Sequence, residues 1–131
     1  MAKGSRAADP KKLVALQTGE RGEASALRWA QEQGWRLYGQ RLRVAGTEVD
    51  LALLRSIGDN DLELLLLEIK TSSGKPVDHA RRWSRAQQAR LWQAAEVLVD
   101  QCRASRVQVG LVLVTLDAAG DHLQWLRAEM Y

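Results

Sequence analysis

Charged residues in the middle of the chain have the types and spacing that metal-ion chemistry requires. Asp50 closes the run Thr47-Glu-Val-Asp, and the apolar run Leu64 to Leu67 breaks abruptly into Glu68-Ile-Lys70. An acid and a lysine at the end of an apolar strand are costly to bury unless they meet partners or solvent. Such a conflict with the local pattern is typical of a functional site.

The elements around these residues predict a β-hairpin that brings Asp50 and Glu68 together. Its strands are expected at residues 47–55 and 62–71, on either side of the turn-like cluster Gly58-Asp-Asn-Asp61. A turn centred on Asp59 places Asp50 directly opposite Glu68, with Cβ atoms about 4.5–5.5 Å apart. A register shifted by one residue would instead turn Glu68 to the other face of the sheet.

Strand alternation predicts that two further charges join this pair. Alternate residues of a strand share a face, so Glu48 and Lys70 would lie beside Asp50 and Glu68. Opposed carboxylates repel unless a cation, a proton or a lysine lies between them. Mg²⁺ suits such oxygen-rich sites and keeps waters and substrate phosphate as further ligands. The hairpin therefore predicts a divalent-metal site, which Glu48 supports rather than ligates. Taken singly, each acid could equally be solvated or half of an ordinary ion pair.

A helix before the hairpin contributes a further acid. It is expected from about Leu13 or Thr18 to Gln33, ended by Gly34. Glu23 lies in the middle of its predicted apolar side, which comprises Leu16, Glu20, Glu23, Ala26, Leu27 and Ala30. The opposite side comprises Arg21, Ser25, Arg28 and Glu32. An acid aimed at the sheet needs a partner, which could be a metal or its water, a backbone group or an arginine.

The remaining pattern predicts an α/β domain with the element order α-β-β-β-α-β. Strands are expected at residues 35–44, 107–115 and 122–126, and a long helix at residues 79–102 with Trp83 on its buried stripe. A central strand that is apolar on both faces predicts a sheet covered by helices on both sides. Residues 1–12 are expected to form a flexible basic arm and residues 13–131 a single domain.

The distribution of charge says little about a polyanionic partner. The chain carries +3 overall with a pI of 9.4, and the predicted arm holds that entire excess, with four basic residues against Asp9. One local basic cluster remains, formed by Arg81, Arg82, Arg85 and Arg90. It could contact nucleic acid or form a solvated helix face. No apolar run reaches the ~20 residues of a membrane span, and a cytoplasmic protein is the default expectation.

Several motifs together resemble a known family. They are Thr18-Gly-Glu-Arg-Gly-Glu23-Ala, Gly34-Trp-Arg-Leu, Gly46-Thr-Glu-Val-Asp50-Leu, Leu67-Glu-Ile-Lys70-Thr71, Gln87 to Ala95, and Gln124-Trp-Leu through to Tyr131. In them the chain resembles the YraN-type family of uncharacterised bacterial proteins. That family is similar to Holliday junction resolvases and to restriction endonucleases with the PD-(D/E)xK signature.

The resemblance implies a restriction-endonuclease-like fold, a mixed sheet flanked by helices, with Glu23, Asp50, Glu68 and Lys70 at the active-site positions. Asp50 and Glu68, with the carbonyl of Ile69, would hold Mg²⁺ or Mn²⁺. Lys70 would orient or help to deprotonate the attacking water, and Glu23 would bind a second metal or a metal-bound water. The implied substrate is DNA, including branched or damaged DNA. Junction-cutting enzymes need two sites and therefore a homodimer.

The sequence departs from the family pattern at three places. Thr47 stands where a glycine is common, Ser72 where an arginine is common, and Gln87 where a lysine is common. The last two changes remove basic groups that would bind phosphate, although Arg81, Arg82, Arg85 and Arg90 could substitute. Gln87 itself is expected among the nucleic-acid-binding residues. Three functions therefore remain open: a Mg²⁺-dependent DNA nuclease, a non-catalytic nucleic-acid-binding or adaptor protein on a nuclease scaffold, and a purely structural interaction domain.

Overall fold

The elements follow the expected order, including the short last strand expected at residues 122–126. The computed structural model describes residues 9–73 and 83–128, apart from the side chain of Ala15. The elements are α1 (Pro10–Glu32), β1 (Arg36–Val44), β2 (Thr47–Gly58), β3 (Asp61–Ser73), α2 (Arg85–Cys102), β4 (Arg106–Leu116) and β5 (His122–Arg127). Neither helix has an apolar stretch long enough to cross a membrane. The predicted arm lies largely outside the described residues, and α1 already begins at Pro10.

All five strands form one mixed sheet in the order β1-β2-β3-β4-β5. Three neighbouring pairs are antiparallel, whereas β3 and β4 are parallel. A parallel pair needs a crossover connection, and α2 lies on that connection. The sheet separates two apolar clusters, one containing the buried residues of α1 and the other those of α2. The predicted α/β architecture is therefore confirmed.

The central strand β3 is buried on both faces, as its sequence predicts. Leu64 and Leu66 belong to the cluster under α2, and Leu65 and Leu67 to the cluster under α1. All four side chains are at most 2% exposed. Burying a leucine fully stabilises a fold by about 1.5–3 kcal/mol, so this run fixes how β3 sits between the two helices.

The register of the β2–β3 hairpin is also the predicted one. The ladder runs without a shift from Leu51↔Leu67 to Ser56↔Leu62, and Asn60 takes the left-handed conformation in the turn. The other hairpin turn, Ala45-Gly46, has positive φ at both residues, as tight turns between antiparallel strands require. The β2–β3 ladder ends at Leu51↔Leu67, one rung before Asp50 and Glu68.

Helix α1 faces the sheet with a side that includes Ala26 and Ala30, as expected, but that is rotated around the helix from the predicted one. Ser25, placed on the solvent side by the apolar pattern, is 8% exposed and bonds to Asp121, whereas Leu16, placed on the buried side, is 55% exposed. Small residues explain the difference, because Gly22 and Ala26 let the helix backbone approach β3 closely. Arg21 also pairs with Asp121 at 2.7 Å and anchors this side of α1 to the turn before β5. The predicted facing of Ser25 and Leu16 is therefore wrong.

Helix α2 begins later than expected. Its first residue is Arg85, and Ser84 and Gln87 form a capping box in which each side chain accepts from the other's backbone N–H. Trp83 therefore precedes the helix and is not part of its stripe, and the expected start at His79 lies outside the described residues. The predicted buried residues Leu91, Ala94, Ala95 and Leu98 are confirmed.

The close approach of α1 to β3 predicts a large difference between two neighbouring glycines. A Cβ at Gly22 would lie 1.8 Å from the Oγ1 of Thr71, whereas one at Gly19 would meet nothing within 4 Å. Gly22→Ala should lower the free energy of unfolding by about 1–2 kcal/mol, because overpacking outweighs the better helix propensity. Gly19→Ala should raise it by about 0.5–1 kcal/mol. Urea denaturation of the two variants checks this, and equal effects would contradict the close contact.

Candidate metal site

The backbone around Asp50 departs from regular strand geometry. Val49 lies in the cluster under α2 and Leu51 in the cluster under α1, although residues two apart in a strand should share a face. The alternation of β2 is thus broken at Asp50. Arg41 lies on the same rung of β1, between the pairs Gln40↔Leu51 and Leu42↔Val49, and has a positive φ of 50°. Both strands are irregular where the acid stands.

This irregularity changes which acids lie together. Asp50 lines a cavity on the α1 side together with Glu23, whereas Glu48 and Glu68 line a second cavity that also contains residues of α2. The predicted common face of Glu48, Asp50, Glu68 and Lys70 is therefore wrong for Asp50. The prediction assumed unbroken alternation, and nothing in the sequence marks the break.

The cavity on the α1 side is the larger of the two. Its volume is about 650 Å³, which is within the range of sites that bind small molecules or a single nucleotide. Its lining combines acids, hydroxyl groups, one lysine and apolar surface. The lining residues are Pro10, Lys11, Val14, Thr18, Gly19, Glu23, Asp50, Ile69, Thr71, Ser72 and Ser73. The second cavity measures about 240 Å³ and is lined by Gly46, Thr47, Glu48, Glu68, Gln87, Arg90 and Leu91.

The carboxylate of Asp50 bonds to the backbone of β3 at a place where a continued ladder would have a backbone acceptor. Its Oδ2 accepts a hydrogen bond of 2.7 Å from the N–H of Ile69, just beyond the end of the β2–β3 ladder. Burial raises the pKa of Asp50 from 3.8 to about 6, the charges of Glu68, Glu23 and Glu48 add to the rise, and the Ile69 bond opposes it. A buried acid among other acids attracts either a proton or a cation.

Glu68 and Lys70 lie near each other on the α2 side of β3. The Nζ of Lys70 is 3.7 Å from Oε1 of Glu68, and the Nε1–H of Trp83 donates to Oε2 at 3.1 Å. The indole of Trp83 is 8% exposed and packs in the cluster under α2. Its bond to Glu68 was missed from the sequence, because Trp83 was expected to lie within the helix.

Glu23 has an arginine as its partner, one of the alternatives that the sequence left open. Nη2 and Nε of Arg41 donate to Oε2 of Glu23 at 3.0 and 3.2 Å. This hydrogen bond, followed by the charges of Glu23, Glu20 and Glu48, raises the pKa of Arg41 above its usual value. Sequence reasoning missed Arg41, because only the irregular rung opposite Asp50 brings it to the helix.

The expected nucleic-acid-binding residues have different positions. Arg81 and Arg82 lie outside the described residues. Arg85 is the first residue of α2, and Arg90 lines the smaller cavity. Gln87 lines that cavity too, but its Oε1 accepts from the backbone N–H of Ser84, so part of this side chain serves to cap α2.

The acids do not form a many-ligand metal cage. Within residues 9–73 and 83–128, no three His, Cys, Asp or Glu side chains come together as a metal-binding group. Mg²⁺ is commonly held by one or two carboxylates, with waters and substrate phosphate completing its octahedron. The donors that fit this simpler arrangement are the half-buried carboxylate of Asp50 and the backbone carbonyl of Ile69. That carbonyl points to the same side of β3 as the N–H that Asp50 accepts, as strand geometry requires.

The fold and these residues define an α/β protein with a half-buried acid, Asp50, at the place where β2 and β3 separate. Comparison with family models identifies the family itself. The model of the Uncharacterised protein family UPF0102 matches residues 22–114, from the middle of α1 to β4, and the chain belongs to this family. The YraN-type resemblance of the motifs is consistent with that membership. No curated protein matches the sequence significantly.

Proposed function

We propose that the chain is a metal-dependent nuclease that hydrolyses phosphodiester bonds in DNA. The observation that carries the proposal is Asp50, a half-buried carboxylate at the point where β2 and β3 separate, with a pKa of about 6. Raised pKa values at buried acids in clefts are typical of functional sites. The motif resemblance adds the expectation that this acid belongs to a PD-(D/E)xK site.

The residues have distinct roles in this proposal. Asp50 and the carbonyl of Ile69 would hold Mg²⁺ or Mn²⁺, and Glu68 would join them on leaving the indole of Trp83. The metal would supply Lewis acidity and a bound water of lowered pKa. Lys70 lies 3.7 Å from Glu68 and can orient that water or offset charge on the phosphate. Glu23, on the wall of the cavity, would receive a metal-bound water by hydrogen bonding.

A cleavage assay tests the proposal. Purified protein is incubated with supercoiled, linear and four-way-junction DNA in Mg²⁺, in Mn²⁺ and in EDTA. Cutting should require metal and should fall roughly a hundredfold or more in Asp50→Ala and Glu68→Ala. Glu96→Ala, which removes an exposed acid of α2, serves as the matched control. Cutting that survives in both site variants would reject the proposal.

A non-catalytic nucleic-acid-binding or adaptor role is the second candidate. It is favoured by the protein partners of the acids, since Glu23 is bonded to Arg41 and Glu68 to Trp83. In this case Asp50→Ala and Glu68→Ala should bind DNA as well as the parent protein or better, because removing acids reduces repulsion from phosphates. Anisotropy titrations with labelled DNA, together with absent cutting in every metal, would select this function.

A further inference from the structure

The ion pair between Arg41 and Glu23 lies at the edge of the Asp50 site. Glu23 lines the same cavity as Asp50, and Arg41 stands opposite Asp50 on the adjacent strand. The left-handed backbone of Arg41 is sparsely populated for a residue with a Cβ atom. The pair is nevertheless not sealed in the protein, because the Arg41 side chain is 49% exposed. A contact that served packing alone would gain little from such an exposed guanidinium.

The geometry of the contact is that of an oxyanion clamp. Nε and Nη2 of Arg41 both donate to Oε2 of Glu23, at 3.2 and 3.0 Å, and Nε also lies 3.4 Å from Oε1. The same planar group binds phosphate oxygens through charge-assisted hydrogen bonds. A phosphodiester oxygen could therefore replace Oε2 of Glu23 as the acceptor of both N–H groups.

The charges around Asp50 show why such a clamp is needed. The neighbours that act on Asp50 are the acids Glu68, Glu23 and Glu48, and together they repel an approaching phosphate. Lys11 lines the same cavity, but it lies twelve residues from Glu23 along α1, roughly 18 Å at the rise of an α-helix. Lys70 is near Glu68 on the α2 side of the sheet. Arg41 does not itself line the cavity, but its partner Glu23 does, so the ion pair lies at the rim of the cavity.

We propose that Arg41 is the phosphate-binding residue of this site and that Glu23 is its resting partner, displaced when a nucleic-acid phosphate enters. The ligand is a phosphodiester of single-stranded DNA, with one nucleotide in the cavity that Glu23 lines and the phosphate at Arg41 on its rim, because a cavity of about 650 Å³ is too small for a duplex. The inference rests on the proposed function for its substrate class, but not on catalysis. The exchange involves no covalent step, because one carboxylate leaves the guanidinium fork and one phosphate takes its place.

Anisotropy titrations of a short, labelled single-stranded DNA in EDTA test the exchange. Arg41→Gln should weaken binding roughly tenfold, the loss expected for a charge-assisted hydrogen bond. Glu23→Gln should tighten binding severalfold, because it frees the clamp. Arg36→Gln, at the other end of β1, removes the same charge. It should change the logarithm of Kd by less than half of the change caused by Arg41→Gln. Melting temperatures of all variants establish that each is folded.

The two single variants break the same ion pair, so their opposite signs are the decisive result. If the pair only ties α1 to β1, both variants should weaken binding or neither should change it, and the inference falls. Glu23→Gln could tighten binding either because it removes repulsion between Glu23 and the phosphate or because it frees Arg41. The double variant Glu23→Gln/Arg41→Gln distinguishes these two causes. A gain from Glu23→Gln that persists without Arg41 overturns the proposal, and so does an absence of DNA binding by the parent protein.

The outcome remains distinguishable from that of the proposed nuclease function. Opposite signs without cutting would keep Arg41 as a phosphate clamp and reject catalysis. Cutting that is equally efficient in Arg41→Gln and Arg36→Gln, with an unchanged KM, would keep catalysis and reject the clamp.

Discussion

Replacing Asp50 by asparagine is expected to make the metal-free protein more stable while it abolishes metal-dependent cutting. Asparagine has nearly the same shape, and its Oδ1 can still accept from the N–H of Ile69, the bond that Asp50 makes at 2.7 Å. It carries no charge to bury, whereas the pKa of Asp50 is raised from 3.8 to about 6. Each pKa unit corresponds to about 1.4 kcal/mol, so the gain at pH 7 should be on the order of 3 kcal/mol. Urea denaturation in EDTA measures it.

The gain from Asp50→Asn should depend on pH in a definite direction. Because folding raises the pKa of Asp50, the folded state holds its proton more tightly than the unfolded state does. The parent protein should therefore lose stability relative to Asp50→Asn as pH rises from about 4 to about 6, and the difference should be constant above that range. Mg²⁺ should restore stability to the parent protein at pH 7 and much less at pH 5, where the proton competes. A gain that is independent of pH would mean that Asp50 is not a buried charge.

Replacing Glu63 by alanine is expected to cause the largest loss of stability among the charged residues discussed. Glu63 is 4% exposed in β3 and accepts from Arg55 of β2 and Gln108 of β4, each at 2.8 Å. Arg127 of β5 extends the network by donating to Gln108, and Arg55 also lies 4.2 Å from the ring centre of Trp35. The loss should be about 3 kcal/mol, because breaking a buried ion pair leaves unpaired polar groups across four strands.

Thermal and urea unfolding of Glu63→Ala measure this loss against Glu96→Ala, whose exposed side chain should change stability by less than about 0.5 kcal/mol. Burial alone would raise the pKa of Glu63, but the hydrogen bonds from Gln108 and Arg55 and the charges of Arg55 and Arg106 hold it below its usual value. The contribution of ionised Glu63 is therefore present at neutral pH and is lost as pH falls through the lowered pKa. Equal stability of the two variants at pH 7 would show that the network is not coupled to folding.

Much of the fold follows from the sequence because its signals are local. The run Leu64–Leu67 predicts a strand buried on both faces, and the turn around Asp59 fixes the register of its hairpin. Both are confirmed. The spacing of Leu91, Ala94, Ala95 and Leu98 likewise predicts the buried side of α2.

The candidate site is less predictable because it depends on departures from regular geometry. Alternation places Asp50 on the face of Glu68, and only the irregular rung at Arg41 and Asp50 sends it to the α1 side. The side of α1 that packs on the sheet is likewise determined by the close contact of Gly22 with Thr71. The periodicity of hydrophobic residues does not predict this contact. The pattern of apolar residues predicts which side chains are buried in the core. The polar site depends on backbone irregularities, which the residue types do not reveal.

The broken alternation of β2 also bears on how this scaffold could change over evolution. Val49 and Leu51 face opposite sides of the sheet, as two adjacent residues of an ordinary strand would. Asp50 is therefore one residue more than the alternation of β2 requires, and Arg41 is the corresponding extra residue of β1. A chain that lost this rung from both strands would keep both hydrophobic faces in phase. Insertion or deletion of this pair of residues can thus add or remove the acid without changing which side chains face each side of the sheet.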